Sequence, residues 1–274
     1  MRPNKYHKYL AFTKAGILDG FAYKFSAIGW LLGDAISLLI LNYLWFAIFQ
    51  NSPTTLINGM TFKEMITYLI FARVTTTLVF ASSSFWILGE DIYQGNIAIN
   101  LIRPMSYRYR LMFSSFGNFL SAAILMFIPL MSISIILLKV SLGVALPNIF
   151  LLVVFIISCL FSFVIADALN FLIGEVSLFT NALFGLMIIK NISMSFFSGS
   201  LLPSSFFPSW LNNVLRFLPF KSMVEKPILI LMGRLTTSEI IETLVIQLVW
   251  VIVLNLFCSF TFSLIKKRVV SVGG

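Results

Sequence analysis

Six long runs of apolar residues dominate the sequence, and each is close to the length that a helix needs to cross a lipid bilayer. They cover residues 30–49, 65–88, 112–138, 148–173, 179–198 and 240–265. A helix rises about 1.5 Å per residue, so about 20 residues span the hydrocarbon core. Only 11% of the residues are charged, against about 25% in soluble domains. The sequence therefore predicts an all-α polytopic membrane protein with six spans, forming a single domain over residues 1–274.

Basic residues outnumber acidic ones, and most of them flank the apolar runs. The chain has 19 Lys and Arg against 10 Asp and Glu, a formal net charge of +9. Such a charge can indicate nucleic acid binding, but these positions favour orientation by the positive-inside bias and attraction to anionic headgroups. More of the bases fall on the side of the two termini and residues 90–110 than on the other side. The pattern predicts a multi-pass plasma-membrane protein with cytoplasmic termini, partnered by lipids rather than nucleic acid.

Residues 1–29 combine basic side chains with apolar side chains at helical spacing. Lys8, Lys14 and Lys24 accompany an apolar face that includes Leu10 and Ile17. A helix with one apolar face and one basic face lies along the membrane interface. We therefore expect an interfacial helix over residues 1–29, before the first span.

The most polar stretch between two spans, residues 90–110, separates the second and third predicted crossings. It reads EDIYQGNIAINLIRPMSYRYR. Uncompensated charges are unfavourable in hydrocarbon, so this stretch is predicted to lie in water on the cytoplasmic side. Held between two spans, it is suited to transmit movement from a soluble partner into the membrane. The alternative is an interfacial loop on lipid headgroups, and composition alone leaves both open.

A second irregular region, residues 199–239, has a different composition. Prolines from Pro203 to Pro227 interrupt a set of aromatic residues that includes Trp210 and Phe217. Proline breaks long helices, and aromatic residues favour the headgroup level of the bilayer. The region is predicted to form short helices or an outer re-entrant helical hairpin that dips into the membrane.

Among the charged residues inside the predicted spans, four are candidates for function: Asp34, Arg73, Asp167 and Lys190. Counted along these spans, the two cations lie at similar depths, whereas the two acids lie near the cytoplasmic ends. Neither cation is therefore expected to have an acidic partner at its own depth. Intramembrane charges usually face a polar cavity or a counter-charge, so the cations are predicted to line a translocation path or to contact an anionic cargo group. The alternative is that hydroxyls, carbonyls and water solvate them, with both acids structural.

Motifs for catalysis are missing from the sequence. It contains no HExxH, GxSxG or GxxxxGK[ST] pattern, which would indicate a zinc protease, a serine hydrolase or a phosphate-binding loop. His7 is the only histidine, and Cys159 and Cys258 lie inside apolar runs, so neither a metal cluster nor a disulfide framework is indicated. The chain is predicted to be non-enzymatic, without a cofactor or metal of its own. Any ATP-driven function would need an ATPase on another chain.

Three stretches together resemble the permease subunits of type-2 ATP-binding cassette (ABC) exporters, in the daunorubicin-resistance-like branch. They are YLAFTKAGILDGFAYKFSAIGWLLGD, DIYQGNIAINLIRPMS and FFSGSLLPSSFFPSWLNNVLRFLPF. The resemblance implies an N-terminal elbow helix, a cytoplasmic coupling helix between spans two and three, and an outer re-entrant hairpin between spans five and six. It also implies a second permease, similar or identical, and two cytoplasmic ATPase subunits that hold ATP and magnesium.

Under this resemblance, the segment from residue 90 to 101 corresponds to the coupling helix that docks on the ATPase. Gly95 and Pro104 would shape its ends. The docking residues that the resemblance implies are Glu90, Asp91, Gly95, Ile97, Ile99, Leu101, Ile102 and Arg103. The isoleucines would be apolar anchors, and the charged residues would contact the partner at the rim.

Family membership leaves the cargo open, because such exporters move drugs, peptides, lipids and glycans. The 29 phenylalanines suggest a path for an amphipathic or hydrophobic cargo, and the alternative is that the Phe-rich spans pack against lipid or against other spans. The alternative function is a self-sufficient secondary transporter or channel in which Arg73, Lys190 and Asp34 carry the coupling.

Overall fold

The protein is almost entirely helical in the computed structural model, which describes residues 7–22, 24–180 and 182–272. Within these ranges there is no β-strand, and Ile57 and Met60 form an isolated β-bridge. The all-α fold class is confirmed. The first six residues of the predicted interfacial segment lie outside the described residues.

The first half of the chain contains a succession of α-helices and one π-helical turn. These are α1 (His7–Ala22), α2 (Lys24–Gln50), α3 (Phe62–Val79), α4 (Ser84–Tyr93), α5 (Asn96–Leu101), α6 (Tyr107–Ala122), the π turn (Ala123–Phe127) and α7 (Ile128–Leu142). The second half combines long and short helices. These are α8 (Ile149–Glu175), α9 (Leu183–Phe197), α10 (Ser209–Phe217), α11 (Phe220–Met223), α12 (Glu225–Leu231) and α13 (Thr237–Val272).

Helix length and composition identify the candidate membrane spans. Four helical stretches are long and apolar enough to cross: Leu31–Gln50, Tyr107–Leu142, Ile149–Leu178 and Thr237–Lys266. Helices α3 and α4, bent by 45° at the break between them, add a fifth if the pair is one crossing. Helix α9 is apolar but has only 15 residues, below the usual length of about 20. The chain is a multi-pass membrane protein, and its sixth span stays a prediction.

Polar side chains lie at both ends of α3. At the start, the Thr61 side chain accepts from the Glu64 backbone N–H while the Glu64 carboxylate accepts from Thr61, a capping box that fixes the first turn. At the end, Ser82 and Ser83 follow, and serine hydroxyls compete with the helical hydrogen bonds of the backbone. The predicted second span, residues 65–88, is therefore broken rather than continuous.

The long helix Tyr107–Leu142 passes through a proline without a break. Pro129 cannot donate a backbone hydrogen bond, and its ring would clash with the carbonyl one turn earlier in a regular α-helix. The π turn Ala123–Phe127 immediately precedes this position, and such turns absorb irregularities inside helices. The helix therefore continues as α7.

Helix α8 is the centre of the bundle. It packs against α3, α4, α12 and α13, while α1 packs along α6. The largest fully buried side chains include Tyr68 of α3, Phe85 of α4, and Phe155, Phe163 and Phe171 of α8. The core is therefore built around a helix that is apolar on nearly every side, as expected for a helix enclosed by neighbours.

Two predicted boundaries need correction. The first predicted span was expected to start at residue 30 after a separate interfacial segment, but it lies inside α2, which begins at Lys24. The predicted cytoplasmic segment 90–110 includes the first turn of α6. That turn belongs to the bundle because Arg108 and Arg110 find partners inside the protein.

Candidate functional site

A glycine reverses the chain between α4 and α5. Gly95 has a φ angle of +75°, in the left-handed region that disfavours residues with a Cβ by about 1–2 kcal/mol. The turn ends α4 at Tyr93 and starts α5 at Asn96. We refer to residues 90–103, which contain this turn and α5, as the candidate coupling segment.

One carboxylate fixes the geometry of this segment. Asp91 Oδ2 accepts hydrogen bonds from Asn100 Nδ2 at 2.9 Å, Tyr107 Oη at 2.7 Å and Arg110 Nη2 at 2.9 Å. Arg110 Nη1 also donates to Asn100 Oδ1 at 3.0 Å. The network joins α4, α5 and α6, so α5 is held rigidly against the start of a membrane helix. Asp91, expected at the rim of a partner interface, is thus already engaged within the chain.

The apolar residues of the segment divide into a buried and an exposed set. Ile97 is only 4% exposed, whereas Ile99 is 59% and Ile102 is 81% exposed. The prediction that Ile97 is a surface anchor is therefore wrong for this structure, because its side chain packs in the protein core. Leu101 is partly buried against the same core.

The charged ends of the candidate coupling segment are accessible. Glu90 and Arg103 are both exposed. The Glu90 carboxylate accepts from Gln94 Nε2 at 2.8 Å, a contact within α4 and its cap. Together with the exposed Ile99 and Ile102, these charged residues give the candidate coupling segment a surface that is partly apolar and partly charged.

Helix α1 contacts the chain just after this segment. Lys8 Nζ donates to the Pro104 carbonyl at 2.6 Å, and the Ser106 backbone N–H donates to Tyr9 Oη at 2.9 Å. Further along, Gly16 and Gly117 approach so closely that a Cβ on Gly117 would lie 2.9 Å from Gly16 Cα. Helix α1 is therefore packed closely against α6 and bonded to the connection that follows α5.

A buried ion pair lies at the start of α6. Arg108 Nη1 donates to Asp167 Oδ2 at 2.6 Å, with side chains only 6% and 0% exposed. Arg108 Nη2 donates to Asn255 Oδ1 at 3.2 Å, and the guanidinium lies 4.8 Å from the centre of the Phe171 ring. The prediction that Arg108 lies in water with residues 90–110 is wrong, because Asp167 and these neighbours provide a compensating site inside the bundle.

The same carboxylate also holds the break between α3 and α4. Asp167 Oδ1 accepts from Ser82 Oγ at 2.6 Å and from Ser84 Oγ at 2.5 Å. Ser115 Oγ of α6 lies within hydrogen-bonding distance of Ser84 Oγ, at 3.1 Å. Asp167 therefore joins the bend of α3 and α4 to α6 and α8, and it serves as a buried structural acid.

Asp34 and Arg73 form an ion pair between α2 and α3. The prediction that Arg73 lacks an acidic partner is therefore wrong. The depth count placed Asp34 close to the start of a span at residue 30, but α2 begins at Lys24 and continues past that point. The long arginine side chain then reaches the carboxylate from the neighbouring helix.

Lys190 has no acidic partner among the residues that the structure describes. Its ammonium lies 4.6 Å from the centre of the Phe85 ring, a cation–π contact that contributes about 0.5–2 kcal/mol. Helix α9 is a predicted span, and at the centre of a spanning helix a lysine is unfavourable by about 2.5–3.5 kcal/mol. The aromatic contact would therefore offset only part of the free energy that is needed to place the charged lysine there.

Asp34, Arg73 and Lys190 line the same cavity, which has a volume of about 640 Å³. Asp167 is not among the residues that line it. Of the four intramembrane charges that the sequence singled out, the structure thus brings three together and places the fourth in a separate buried network.

Sequence reasoning missed Arg108, Arg110 and Asn170 as functional or structural polar residues. The two arginines were counted as water-exposed because they continue a polar stretch. A usable signal existed for Arg108, since Asp167 is an acid in an apolar run that requires a partner. Asn170, one turn after Asp167 on α8, is buried and lines the cavity.

Comparison with protein families identifies the family of the chain. A family model described as "ABC-2 family transporter protein" matches residues 35–270. The chain belongs to the ABC-2 transporter family. The match includes the candidate coupling segment and most residues of the cavity, so both are parts of an ABC transporter permease. A search of curated proteins gave no significant match to this ABC-2 chain.

Proposed function

We propose that this ABC-2 chain is the permease subunit of an exporter driven by ATP hydrolysis on separate cytoplasmic ATPase subunits. The candidate coupling segment is the surface on which an ATPase docks. The chain itself carries no catalytic group, and ATP and magnesium belong to the partner. The resemblance in three stretches favours the daunorubicin-resistance-like branch, whose members include multidrug exporters.

The observation that carries this proposal is the exposed pair Ile99 and Ile102. Residues three apart lie on the same face of a helix, so these two side chains present one apolar patch at the end of α5. Apolar anchors surrounded by a polar rim are typical of energetic centres in protein interfaces, and Glu90 and Arg103 provide such a rim. Ile99 and Ile102 thus form a small apolar surface that a docked partner would cover.

Movement of the docked segment has a defined route into the membrane. Asp91 ties α5 to α4 and α6, and α1 follows because Lys8 and Tyr9 bind the connection. In a second hydrogen-bond network, Asp167 holds the bend between α3 and α4 through Ser82 and Ser84. A push on α5 is therefore passed to α1, α4 and α6 as a unit and to the bent pair.

The assembly follows from the same proposal. Two ATPase subunits act on two permeases, of which this chain is one, in the plasma membrane with both termini cytoplasmic. Arg73, Lys190 and Asp34 lie on the translocation path for an amphipathic or hydrophobic cargo that moves outward. Asp167 keeps a structural role beside it.

The test is ATP hydrolysis by the complex purified through an affinity tag on this chain. Changing Ile99→Asp and Ile102→Asp together should remove the co-purifying ATPase activity, because two carboxylates would have to be desolvated at the centre of the interface. Leu56→Asp is the matched control, since Leu56 is 55% exposed but lies between α2 and α3.

Retention of full ATPase activity by the double variant would contradict the docking assignment. Proton- or sodium-driven flux through the purified chain alone would instead support the secondary transporter or channel.

A further inference from the structure

The cavity that contains Lys190 is bounded by α1, α2, α3, α6, α8 and α9, with the π turn after α6. Its volume of about 640 Å³ lies in the range of pockets that hold small molecules, about 300–1,000 Å³. Lys190 is in the middle of α9, between Leu183 and Phe197. A positively charged side chain therefore faces a space large enough for a ligand group.

The charges around this cavity do not balance. Asp34 neutralises Arg73 through their ion pair, and Lys190 is the further charged residue in the lining. The ring of Phe85 lies against Lys190 but carries no negative charge. Counted over the lining residues that the structure describes, the cavity has an excess of one positive charge, which favours an anionic occupant over a neutral or cationic one.

Unpartnered polar atoms show that the cavity is built for hydrogen bonding as well. Among the described residues that line it, Arg73 Nε, Asn118 Oδ1 and Asn170 Oδ1 are buried without a hydrogen-bond partner. Asn170 is only 2% exposed. Buried polar groups are nearly always satisfied in folded proteins, and an occupant of the cavity with both acceptor and donor groups would satisfy these atoms after small side-chain rotations. The Asn118 and Asn170 oxygens would accept from hydroxyl groups.

The remaining wall of the cavity is apolar. Phe80, Leu125, Met126 and Met194 lie along it, and methionine side chains adapt to ligands of irregular shape. A cavity with a charged, hydrogen-bonding side and an apolar side matches an amphipathic molecule. A small inorganic anion would leave the apolar side without contacts.

From these observations we infer that the cavity binds the headgroup of an anionic amphiphile: a lipid with a phosphate or carboxylate beside hydroxyl groups. Lys190 and Arg73 bind the anionic group, Asn118 and Asn170 bind the hydroxyls, and the apolar wall contacts the first carbons of the tail. This inference deepens the proposed function by naming the cargo class, and it rests on that function only for the claim that the bound molecule is transported.

The test is lipid binding to the full-length chain, purified in a neutral detergent without any ATPase. Short-chain phosphatidylglycerol provides one negative charge and free hydroxyls, whereas short-chain phosphatidylcholine is zwitterionic and lacks them. Titration of each lipid, followed by thermophoresis of the labelled protein, should give at least tenfold tighter binding of phosphatidylglycerol. Equal affinity for the two lipids overturns the inference, and this comparison requires no variant.

Variants locate the site. Lys190→Gln should remove the preference for phosphatidylglycerol, and Lys190→Arg should retain it. Asp34→Asn should not weaken phosphatidylglycerol binding, because it removes a negative charge from the lining. Lys139→Gln is the control, since Lys139 is an exposed cation outside the cavity. A preference that survives in Lys190→Gln overturns the assignment.

A competition experiment separates a lipid from a free phosphate ester. Glycerol 3-phosphate shares the phosphate and hydroxyls but has no tail, so it should displace phosphatidylglycerol only at a concentration at least tenfold higher. Displacement at equal concentration would overturn the lipid assignment. Because no ATPase is present, either negative result leaves the docking of α5 unaffected. Loss of docking in the Ile99 and Ile102 variant likewise leaves lipid binding intact.

Discussion

The Arg108–Asp167 pair gives the sharpest prediction about stability. Both side chains are nearly inaccessible to solvent, at 6% and 0% exposure. Removing one member of such a pair leaves the other charge buried and uncompensated, which typically destabilises a protein by about 3–5 kcal/mol. In Arg108→Leu, the Asp167 carboxylate keeps only the hydroxyl groups of Ser82 and Ser84.

The expected effect is large enough to measure by heating. In a domain of about 150–250 residues, 1 kcal/mol corresponds to about 2–4 °C in melting temperature. Arg108→Leu should therefore lower the temperature at which half of the monodisperse protein is lost by about 6–20 °C. The assay is size-exclusion chromatography of heated, detergent-solubilised protein. In the double variant Arg108→Leu with Asp167→Leu, neither charge is left unpaired. Its midpoint temperature should therefore fall by much less than the sum of the decreases in the two single variants.

The matched control is the exposed ion pair of Arg234 and Glu64. Its atoms are 2.5 Å apart, but the side chains are 29% and 34% exposed, and such pairs contribute about 0–1 kcal/mol. Arg234→Leu should therefore shift the midpoint by only a few degrees. The reasoning is refuted if Arg108→Leu shifts it no further than this control, or if the effects of the two single changes at the buried pair simply add.

Three further predictions concern backbone fit and pH. Gly95→Ala should destabilise the protein by about 1–2 kcal/mol because φ is positive there, which thermal unfolding would detect; an unchanged midpoint would argue against the turn. Gly117→Ala should destabilise the protein by about 1–3 kcal/mol because its Cβ would overlap Gly16. Gly185→Ala is the control and should not, since the nearest atom to its Cβ would be 3.8 Å away. Equal unfolding midpoints for these two variants would count against close packing of α1 and α6. Burial raises the pKa of Glu225 above its ordinary value of 4.5, so the stability from its protonated form is fully present below that value and is lost as the pH rises through the folded pKa. As the pH is raised from 4.5, the midpoint of the unchanged protein should therefore fall relative to that of Glu225→Gln, and a relative rise would exclude this linkage.

Hydropathy was sufficient to predict the helical class and the multi-pass architecture, because apolar runs of this length have few other stable arrangements. It could not place the helix ends. The break between α3 and α4 depends on Ser82 and Ser84 bonding to Asp167, which is more than 80 residues away. Such contacts are set by tertiary packing and leave no periodic signal in the local sequence.

The candidate sites were predictable only in part, for the same reason. Residue type identified Lys190 and Arg73 as unusual, and Gly95 as the residue that a turn would need. The pairing of Arg73 with Asp34 depends on how α2 and α3 are offset along their axes. Counting residues from an assumed start of the first span therefore gave the wrong depth for Asp34 relative to Arg73. The burial of Ile97 beside the exposed Ile99 depends on which face α5 turns to the bundle, and a six-residue helix is too short for its sequence to decide this.

Labelling of a cysteine at position 102 would test the docking claim most directly. Both native cysteines are buried, so in Ile102→Cys the new thiol, at a position 81% exposed, should be the reactive one. A membrane-impermeant maleimide should label it in inside-out vesicles and not in right-side-out vesicles, and the bound ATPase should protect it. Labelling from the outside, or labelling that the ATPase leaves unchanged, would contradict the docking of an ATPase on the candidate coupling segment.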